Sequence, residues 1–364
     1  MIKHFWGKVK SFYDTHERHL GIGLMLFGFG VDNLTFNRID LLLDNLIIAW
    51  YLLVALACII VINLHGNGRL RHPLLQKISP WAPIPMQIVF GGLFSAFTVI
   101  YWRSSSILTR WPFLAILVLL LVGNEFAKSR YAKFTFHVTV FYTAVFFYAI
   151  LIVPVMVKQM GPFIFVVSGL VSLLAIAFVL LLLKILTPDR WVKSKRHIAV
   201  SITGTFAAFN VLYFTNIIPP VPLALKTIGV YHDLQTKNTA YDANVEPPPW
   251  YQFYFDTSRT FHRYNNERVY VFSAVFAPTN LANLIYHRWS RYHETTKQWT
   301  TVNMLSYPII GGRDGGYRGF SYKQNIGPGL WRVDVLTRRN QLVGRIKFAI
   351  VESPTVPVVK AVKL

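Results

Sequence analysis

Long apolar segments fill the first 218 residues and constrain the fold more than any other feature of the sequence. A helix needs about 20 apolar residues to cross the hydrocarbon core of a bilayer. Seven segments approach or exceed that length, at 20–36, 41–63, 84–102, 108–124, 137–157, 163–183 and 198–218. The sixth, FIFVVSGLVSLLAIAFVLLLL, contains no charged residue. The sequence therefore predicts a polytopic α-helical membrane bundle of about seven spans over 20–218.

The amino-acid composition also indicates a polytopic membrane protein. Hydrophobic residues make up 53% of the 364-residue chain and charged residues only 15%, which is typical of polytopic membrane proteins rather than of soluble domains. The net charge of +21 is spread along the chain, without a basic cluster that interleaves with aromatic residues. We therefore expect the lipid bilayer as a partner and expect no nucleic acid.

Lysine and arginine are distributed unequally between the two sides of the predicted bundle. Fifteen of them lie in the segments on one side, which include the N-terminal segment 1–19. The other side has four, which are Arg38, Arg103, Arg110 and Lys158. Because cytoplasmic loops carry the excess of positive charge, the sequence predicts a cytoplasmic N-terminus. Seven spans then place the C-terminal region outside the cytoplasm.

Charged residues also gather near the predicted outer ends of the spans. This membrane polar cluster consists of Asp32, Arg38, Asp40, Asp44, Arg103 and Arg110. One interpretation is an ion-pair network that fixes helix packing, and the other is a proton, ion or headgroup site. Charges cost little near the membrane interface, so the ion-pair network is the preferred interpretation.

Short runs of alternating polar and apolar residues replace the apolar segments after residue 250. This alternation predicts strands at 251–256, 268–277, 283–293, 298–306, 317–324, 329–336 and 341–351. Seven short strands at this spacing predict an antiparallel β-sandwich over 251–352. A proline-rich linker over 219–250 precedes this domain, and a tail over 353–364 follows it. Trp289 and Trp331 are its predicted core anchors.

The β region carries its own positive charge and a set of candidate ligand-binding residues. From Lys226 onward there are 18 lysines and arginines against 9 acidic residues, a balance that suits anionic partners. Alternation places four cations on the face away from the tryptophans, namely Arg288, Arg332, Arg345 and Lys347. The stretch PPPWYQFYF adds three aromatic candidates, namely Trp250, Tyr251 and Tyr254. The alternative is an ordinary solvated face, with aromatic side chains filling the edge of the sandwich.

The sequence predicts no metal site, no cofactor and no catalytic set of residues. The β region has four histidines, which are His232, His262, His287 and His293. Only His287 and His293 share a strand face, and six residues of strand separate them by about 20 Å, which is too far for one ion. The single cysteine, Cys58, excludes a disulfide or a thiol pair within one chain.

Three stretches of the β region resemble the bacterial domain-of-unknown-function 2914 family. They are IYHRWSRYH (285–293), GGRDGGYRGFSYK (311–323) and GPGLWRVDVLTRRNQLVGRIKFAIV (327–351). The stretch IPPVPLALKTIGVYH (218–232) is similar to the membrane-bound members, in which this domain follows several spans. The resemblance implies a multi-pass protein of the bacterial inner membrane with an outer β domain. It supplies no catalytic residues.

Two functions are compatible with these features. The first is a binding protein whose outer β domain recognises an envelope ligand or partner, such as an acidic glycan, a lipid headgroup or another protein. The alternative is an integral-membrane enzyme or carrier that acts on a lipid-linked substrate at the outer leaflet, with Asp32, Asp40 and Asp44 as its acids or bases. Exchange of these carboxylates separates the two, because only the alternative requires them for function.

The predicted orientation is tested by reporter fusions. A reporter that is active only outside the cytoplasm is expected to work when fused after Thr227 and to fail when fused after Lys195, because the positive charges around Lys195 hold that loop inside. Activity of alkaline phosphatase and fluorescence of a cytoplasmic reporter at the same two positions provide the measurement. The reverse pattern would contradict the orientation.

Overall fold

The computed structural model describes residues 28–34, 41–103, 107–126, 130, 133–218, 223–237, 240–250, 257–278, 282–310 and 316–364. The chain divides into two compact units. The helical unit comprises Met1–Trp102, Trp111–Val157 and Gly161–Ile218. The second unit contains the β region Pro219–Leu364 together with Arg103–Arg110 and Lys158–Met160.

The helical unit consists of long helices joined by short connections. The helices are α1 (Leu42–Gly66), α2 (Pro73–Ile78), α3 (Pro83–Arg103), α4 (Ile107–Phe126), α5 (Phe134–Val157), α6 (Pro162–Leu186) and α7 (Pro188–Phe214), with a 3₁₀ turn at Ser79–Trp81. Proline begins α2, α3, α6 and α7, where its fixed φ suits the first helical position and its missing N–H costs nothing. Proline therefore accounts for where these four helices start, although the last of them begins ten residues before the predicted span 198–218 and α2 was not predicted.

Five of the described helices, α1, α3, α5, α6 and α7, are long and apolar enough to cross a membrane. Helix α4 has a shorter apolar stretch, Trp111–Asn124. Of the first predicted span only residues 28–34 are described, and they are helical. The structure thus confirms a polytopic helical region of membrane type, and the number of seven spans stays a prediction.

Aromatic side chains fill the contacts among α5, α6 and α7. The rings of Phe165 and Tyr213 stack with centroids 3.7 Å apart, and those of Phe146 and Phe209 stack at 4.5 Å. The Phe147 ring meets Phe209 edge to face at 4.8 Å. Such contacts give helices of membrane type close packing that aliphatic lipid chains cannot replace.

The second unit contains eleven described strands in three sheets. The strands are β1 (Ala224–Tyr231), β2 (Asp233–Lys237), β3 (Ala240–Val245), β4 (Thr260–Arg263), β5 (Val269–Phe276), β6 (Ala282–His293), β7 (Gln298–Ile310), β8 (Tyr317–Lys323), β9 (Gly329–Thr337), β10 (Leu342–Glu352) and β11 (Lys360–Lys363). The sheet orders are β1-β5-β8, β4-β10-β9-β6-β7 and β11-β3-β2. The first two sheets face each other as a sandwich, because residues from both form one buried core.

The predicted strands from 268 to 351 coincide with β5 to β10, whereas the prediction at 251–256 lies outside the described residues. The β region also extends beyond its predicted bounds. Strands β1 to β3 lie within 219–250, which the sequence assigned to a linker, and β11 lies within the predicted tail. Their alternation is weak because β2 and β3 form a short, partly exposed sheet. The β4–β10 pair is parallel, in contrast to the antiparallel pairing expected throughout.

Trp289 and Trp331 lie in the core, as predicted, with 0% and 3% of their surface exposed. The Trp289 indole donates a hydrogen bond from Nε1 to the Ser321 Oγ at 2.9 Å, which links the two facing sheets. Its ring meets Phe348 edge to face at 6.2 Å. The indole N–H is therefore satisfied within an apolar environment.

The β9–β10 hairpin closes with the turn chemistry that its sequence indicates. Asn340 has φ 58°, in the left-handed region that asparagine tolerates. The Asn340 N–H donates to the Thr337 carbonyl at 2.9 Å, and the Thr337 N–H donates to the Gln341 carbonyl at 2.9 Å. This turn fixes the register that brings side chains of β9 and β10 together on one face.

Replacement of Trp289 by alanine tests the core. Trp289→Ala is expected to lower the free energy of unfolding of the β unit by about 3–5 kcal/mol, because it removes a buried ring and leaves a cavity. Trp250→Ala is the matched control, since Trp250 is 88% exposed, and its effect should stay within about 0.5 kcal/mol. Pulse proteolysis of the full chain in detergent across a urea series measures both. Equal effects would contradict the assignment of Trp289 to the core.

Candidate functional site

Five side chains of β6, β9 and β10 form one group on the face of the five-stranded sheet that points away from the sandwich core. In the register of these strands Asp334 lies between Arg288 on one side and Arg345 on the other, and Arg332 lies opposite Lys347. Alternation places Arg332 and Asp334 on the same face, because they are two residues apart on β9. We call Arg288, Arg332, Asp334, Arg345 and Lys347 the basic cluster.

Asp334 is the centre of the basic cluster and has no exposed surface. Its Oδ2 accepts a hydrogen bond from Arg288 Nη2 at 2.8 Å and lies 3.5 Å from Arg332 Nε. Its Oδ1 accepts a hydrogen bond from Arg345 Nε. Burial alone would raise the pKa of Asp334, but hydrogen bonds from Arg345 and Arg288, and the charges of Arg345 and Arg332, lower it overall. The carboxylate is therefore ionised and shared among three guanidinium groups.

The four cations predicted as a basic stripe do come together, although the face is less solvated than alternation suggested. The exposed side-chain fractions are 29% for Arg288, 15% for Arg332 and 26% for Arg345. Attraction to Asp334 draws these long side chains down onto the sheet, so their stems cover it. The three arginines of the cluster are thus half-buried and held in place, whereas Lys347 is exposed.

Trp299 on β7 belongs to the same surface and was not among the predicted site residues. The Arg332 guanidinium lies over its ring at 4.7 Å, and Lys347 Nζ lies 5.8 Å from the ring centroid. Ser290 lies opposite Arg332 in the β6–β9 register, and its small side chain leaves room for the indole to reach across β6. A sequence pattern that identifies β7 does not show which side chains two strands away will meet it.

Of the three predicted aromatic candidates, the structure describes only Trp250. Trp250 is 88% exposed and follows β3 in a loop. Tyr251 and Tyr254 fall outside the described residues. The role of all three residues stays a prediction.

The histidines of the β region occupy three different environments. His232 contacts a carboxylate at each ring nitrogen, with Nε2 2.9 Å from Glu246 Oε1 and Nδ1 3.0 Å from Glu267 Oε1. His262 Nδ1 lies 2.7 Å from Glu246 Oε2. His287 is fully buried and His293 is exposed. Within the described part of the chain no group of three or more His, Cys, Asp or Glu side chains is arranged to hold a metal ion.

His287 takes part in a polar network inside the sandwich. Its Nε2 lies 2.8 Å from Ser273 Oγ and its Nδ1 lies 2.8 Å from Ser321 Oγ, while Tyr307 Oη lies 2.6 Å from Ser273 Oγ. Burial lowers the pKa of His287 to about 3, so the imidazole is neutral. A serine beside a histidine suggests a nucleophile and its base, but these side chains are enclosed in the core and a second serine stands where a carboxylate would orient the ring. The network is structural.

The membrane polar cluster is described only in part. Asp44 is 5% exposed and lies in the first turn of α1. Asp32 is partly buried near Tyr51 and Ser95. Arg38 and Asp40, and the side chains of Arg103 and Arg110, fall outside the described residues. Both interpretations of this cluster therefore stay predictions.

A second polar group in the helical unit was not predicted. Asn63 near the end of α1 and His137 near the start of α5 are fully buried, with Asn63 Nδ2 2.8 Å from His137 Nε2. Arg190 Nη1 donates to Asn63 Oδ1 at 3.0 Å. Since arginine is only a donor, Asn63 must turn its oxygen to Arg190 and its nitrogen to His137. His137 Nε2 is then an acceptor, and the three helices are joined by one directed chain of hydrogen bonds.

Taken together, the fold and the basic cluster define a class of protein, a polytopic helical protein of membrane type in which a β-sandwich with an organised cationic face follows the helices. Residues 282–350 match the family described as "Protein of unknown function (DUF2914)", which confirms the resemblance seen in the sequence. The matched segment runs from β6 to β10 and contains every residue of the basic cluster.

Wider comparisons add little. No curated protein matches the chain. Among solved structures, Pseudomonas fluorescens alkylpurine DNA glycosylase AlkC bound to DNA containing an abasic site analog is 12% identical over 78% of this chain and 83% of that chain, with a TM-score of 0.21. A similarity of that size carries no argument about fold or function.

The His232 contacts make the stability of the β unit dependent on pH. Burial lowers the pKa of His232, but hydrogen bonds with Glu246 and the charge of Glu267 outweigh it and raise the pKa above its ordinary value of 6.5. A raised histidine pKa stabilises the fold below the unfolded pKa, and the stabilisation is lost as the pH rises through the folded pKa. We expect His232→Gln to cost about 1–3 kcal/mol at pH 6 and clearly less at pH 9.

Urea unfolding of the full chain in detergent at the two pH values provides this measurement. His293→Gln is the matched control, because His293 is exposed and its replacement should change neither value. A cost for His232→Gln that is the same at pH 6 and pH 9 would contradict a charged His232 in the folded state.

Proposed function

We propose that this chain is a multi-pass protein of the bacterial inner membrane whose C-terminal β domain lies outside the cytoplasm and binds an anionic envelope ligand on the basic cluster. Five long apolar helices support the membrane setting, and the unequal distribution of lysine and arginine supports the orientation. The resemblance and the family match supply no activity that would compete with a binding role.

The convergence of three arginines on one carboxylate is the observation that carries this proposal. Arg288, Arg332 and Arg345 all contact Asp334, so the charge of one acid offsets only one of the three. Burial lowers the pKa of Arg332; Asp334 opposes that effect, and repulsion from Arg345 and Arg288 adds to it. Like charges held together in a half-buried place repel each other, and an anionic group bound above them would relieve that repulsion.

The surroundings of the basic cluster favour the same ligand chemistry. Lys347 and Trp299 extend the cationic surface along one side, where cation–π contacts hold Lys347 and Arg332 in place. The excess of 18 basic over 9 acidic residues from Lys226 onward gives the domain a positive field that attracts anions. Acidic polymers and anionic headgroups of the cell envelope present such anions.

Removal of two cations from the basic cluster tests the proposal. In the double variant Arg332→Gln with Lys347→Gln, Arg288 and Arg345 still neutralise the buried Asp334, so the fold should persist. We expect this variant to bind acidic polymers at least about tenfold more weakly than the wild type, since it loses charge-assisted contacts. The probes are fluorescein-labelled polyphosphate and polygalacturonate, and the full-length protein is held in phosphatidylcholine nanodiscs. Fluorescence anisotropy at low and high salt gives the affinities.

The control removes the same charge from elsewhere on the β unit. Arg338→Gln with Lys360→Gln replaces two exposed cations away from the cluster and is expected to bind like the wild type. Binding should also weaken with salt, because exposed charge contacts are screened over about 8–10 Å at ordinary ionic strength. Absence of binding to either polymer at low salt, or equal affinity of the two double variants, would contradict the proposed function.

A further inference from the structure

We infer that Asp334 is a positioning residue that holds the guanidinium groups of Arg288, Arg332 and Arg345 ready for a phosphoryl group. This inference rests on the proposed anion-binding function and names the chemical group that the site takes. It also gives a role to Asp334, whose burial beneath the arginines could not be read from the sequence.

The contacts to Asp334 occupy only part of each arginine. Arg345 uses Nε and Arg288 uses Nη2, while Arg332 approaches through Nε without forming a hydrogen bond. The Nη groups of Arg332 and Arg345 form no hydrogen bond with an acceptor among the described residues. Guanidinium groups fixed at one edge in this way present their remaining N–H groups as a planar fork, the arrangement that fits phosphate oxygens.

Three buried polar atoms of this face have no hydrogen-bond partner within the described chain. These atoms are Nε of Arg288, Nε of Arg332 and Oγ of Ser290. Ser290 has no exposed surface and lies opposite Arg332 in the register. Buried polar atoms without partners are rare in folded proteins, and their concentration beside Asp334 shows that this face holds more hydrogen-bond donors than its own acceptors satisfy.

The charge of the basic cluster selects among anions. Four cations and one carboxylate leave a net charge of +3 on adjacent strands. A carboxylate ligand neutralises one unit of this charge, whereas a phosphate monoester carries about −1.5 to −2 at neutral pH and offers three strong acceptor oxygens. A phosphoryl group therefore matches both the residual charge and the number of donors better than a carboxylate does.

A purely structural ion pair would need fewer partners. One well-placed arginine compensates a buried carboxylate, and each further guanidinium adds repulsion and loses hydration. The structure nevertheless places three arginines around Asp334 and a tryptophan against Arg332. Rigid placement of several cations is what preorganises an anion site, because the cost of ordering them is met before the ligand arrives.

Replacement of Asp334 distinguishes a positioning role from a simple effect of charge, because the two predict opposite changes in the affinity for phosphate. Asp334→Asn makes the face more positive, so attraction by charge alone would tighten the binding of phosphate. If Asp334 positions the arginines, the same change releases them and weakens phosphate binding by about tenfold or more. Asp334→Glu keeps the charge but moves the carboxylate by one methylene, and it is also expected to weaken binding.

The measurement uses the full-length protein in phosphatidylcholine nanodiscs with labelled polyphosphate as the probe. Inorganic phosphate and acetate at equal ionic strength compete for the site in separate titrations, and thermal unfolding shows that each variant is folded. We expect phosphate to displace the probe at concentrations at least about tenfold below acetate. Wild-type protein alone yields this comparison, so the preference for a phosphoryl group is tested even if both Asp334 variants fail to fold.

The outcomes separate this inference from the proposed function. If neither polyphosphate nor polygalacturonate binds at low salt, the proposed function fails. If both bind but acetate competes as well as phosphate, or if folded Asp334→Asn binds as tightly as the wild type or more tightly, only the present inference is overturned. Nanodiscs with phosphatidate distinguish the source of the group: weaker probe binding in them supports a lipid headgroup, and unchanged binding supports a soluble phosphate.

Discussion

The period-two alternation of strand β9 is the constraint on which the rest of the β domain depends. One face of this strand contributes Trp331 and Val333 to the sandwich core, and the other face contributes Arg332 and Asp334 to the surface. Strand β9 lies between β10 and β6, so its neighbours on both sides follow its register. A shift of one residue would bury the charges and expose the core. The stability of the sandwich therefore fixes the geometry of the basic cluster.

Much of this arrangement was predictable because alternation and hydrophobicity are local signals. Six strands, the two core tryptophans and the common face of the four cations follow from spacing alone. The long helices follow equally from apolar length. What spacing could not show is how deep a charged residue lies. Asp334 alternates like a solvated residue, yet the three arginines around it exclude water from its carboxylate.

Contacts between distant parts of the chain could not be predicted from the sequence for a related reason. The pairing of His232 with Glu246 and Glu267, and the hydrogen bond between Asn63 and His137, join elements that no period relates. Strands β1 to β3 were assigned to a linker because prolines and polar residues dominate that stretch, whereas β5 pairs with β1 and β11 pairs with β3 from elsewhere in the chain. Tertiary partners outweigh local propensity in such cases.

The parallel pairing of β4 with β10 has a consequence for the order in which the domain forms. Thr260 meets Ala349 and Arg263 meets Glu352, so this edge of the large sheet closes only when β4 pairs with β10, which follows it by six strands. Contacts between residues so far apart in sequence make folding slow. In a nascent chain β6 and β9 can already pair before β10 is available. The sheet stays incomplete until β10 has been synthesised and has left the ribosome. During that interval open strand edges invite association with other chains, and the charges around Asp334 on those same strands help to keep the unfinished domain in solution.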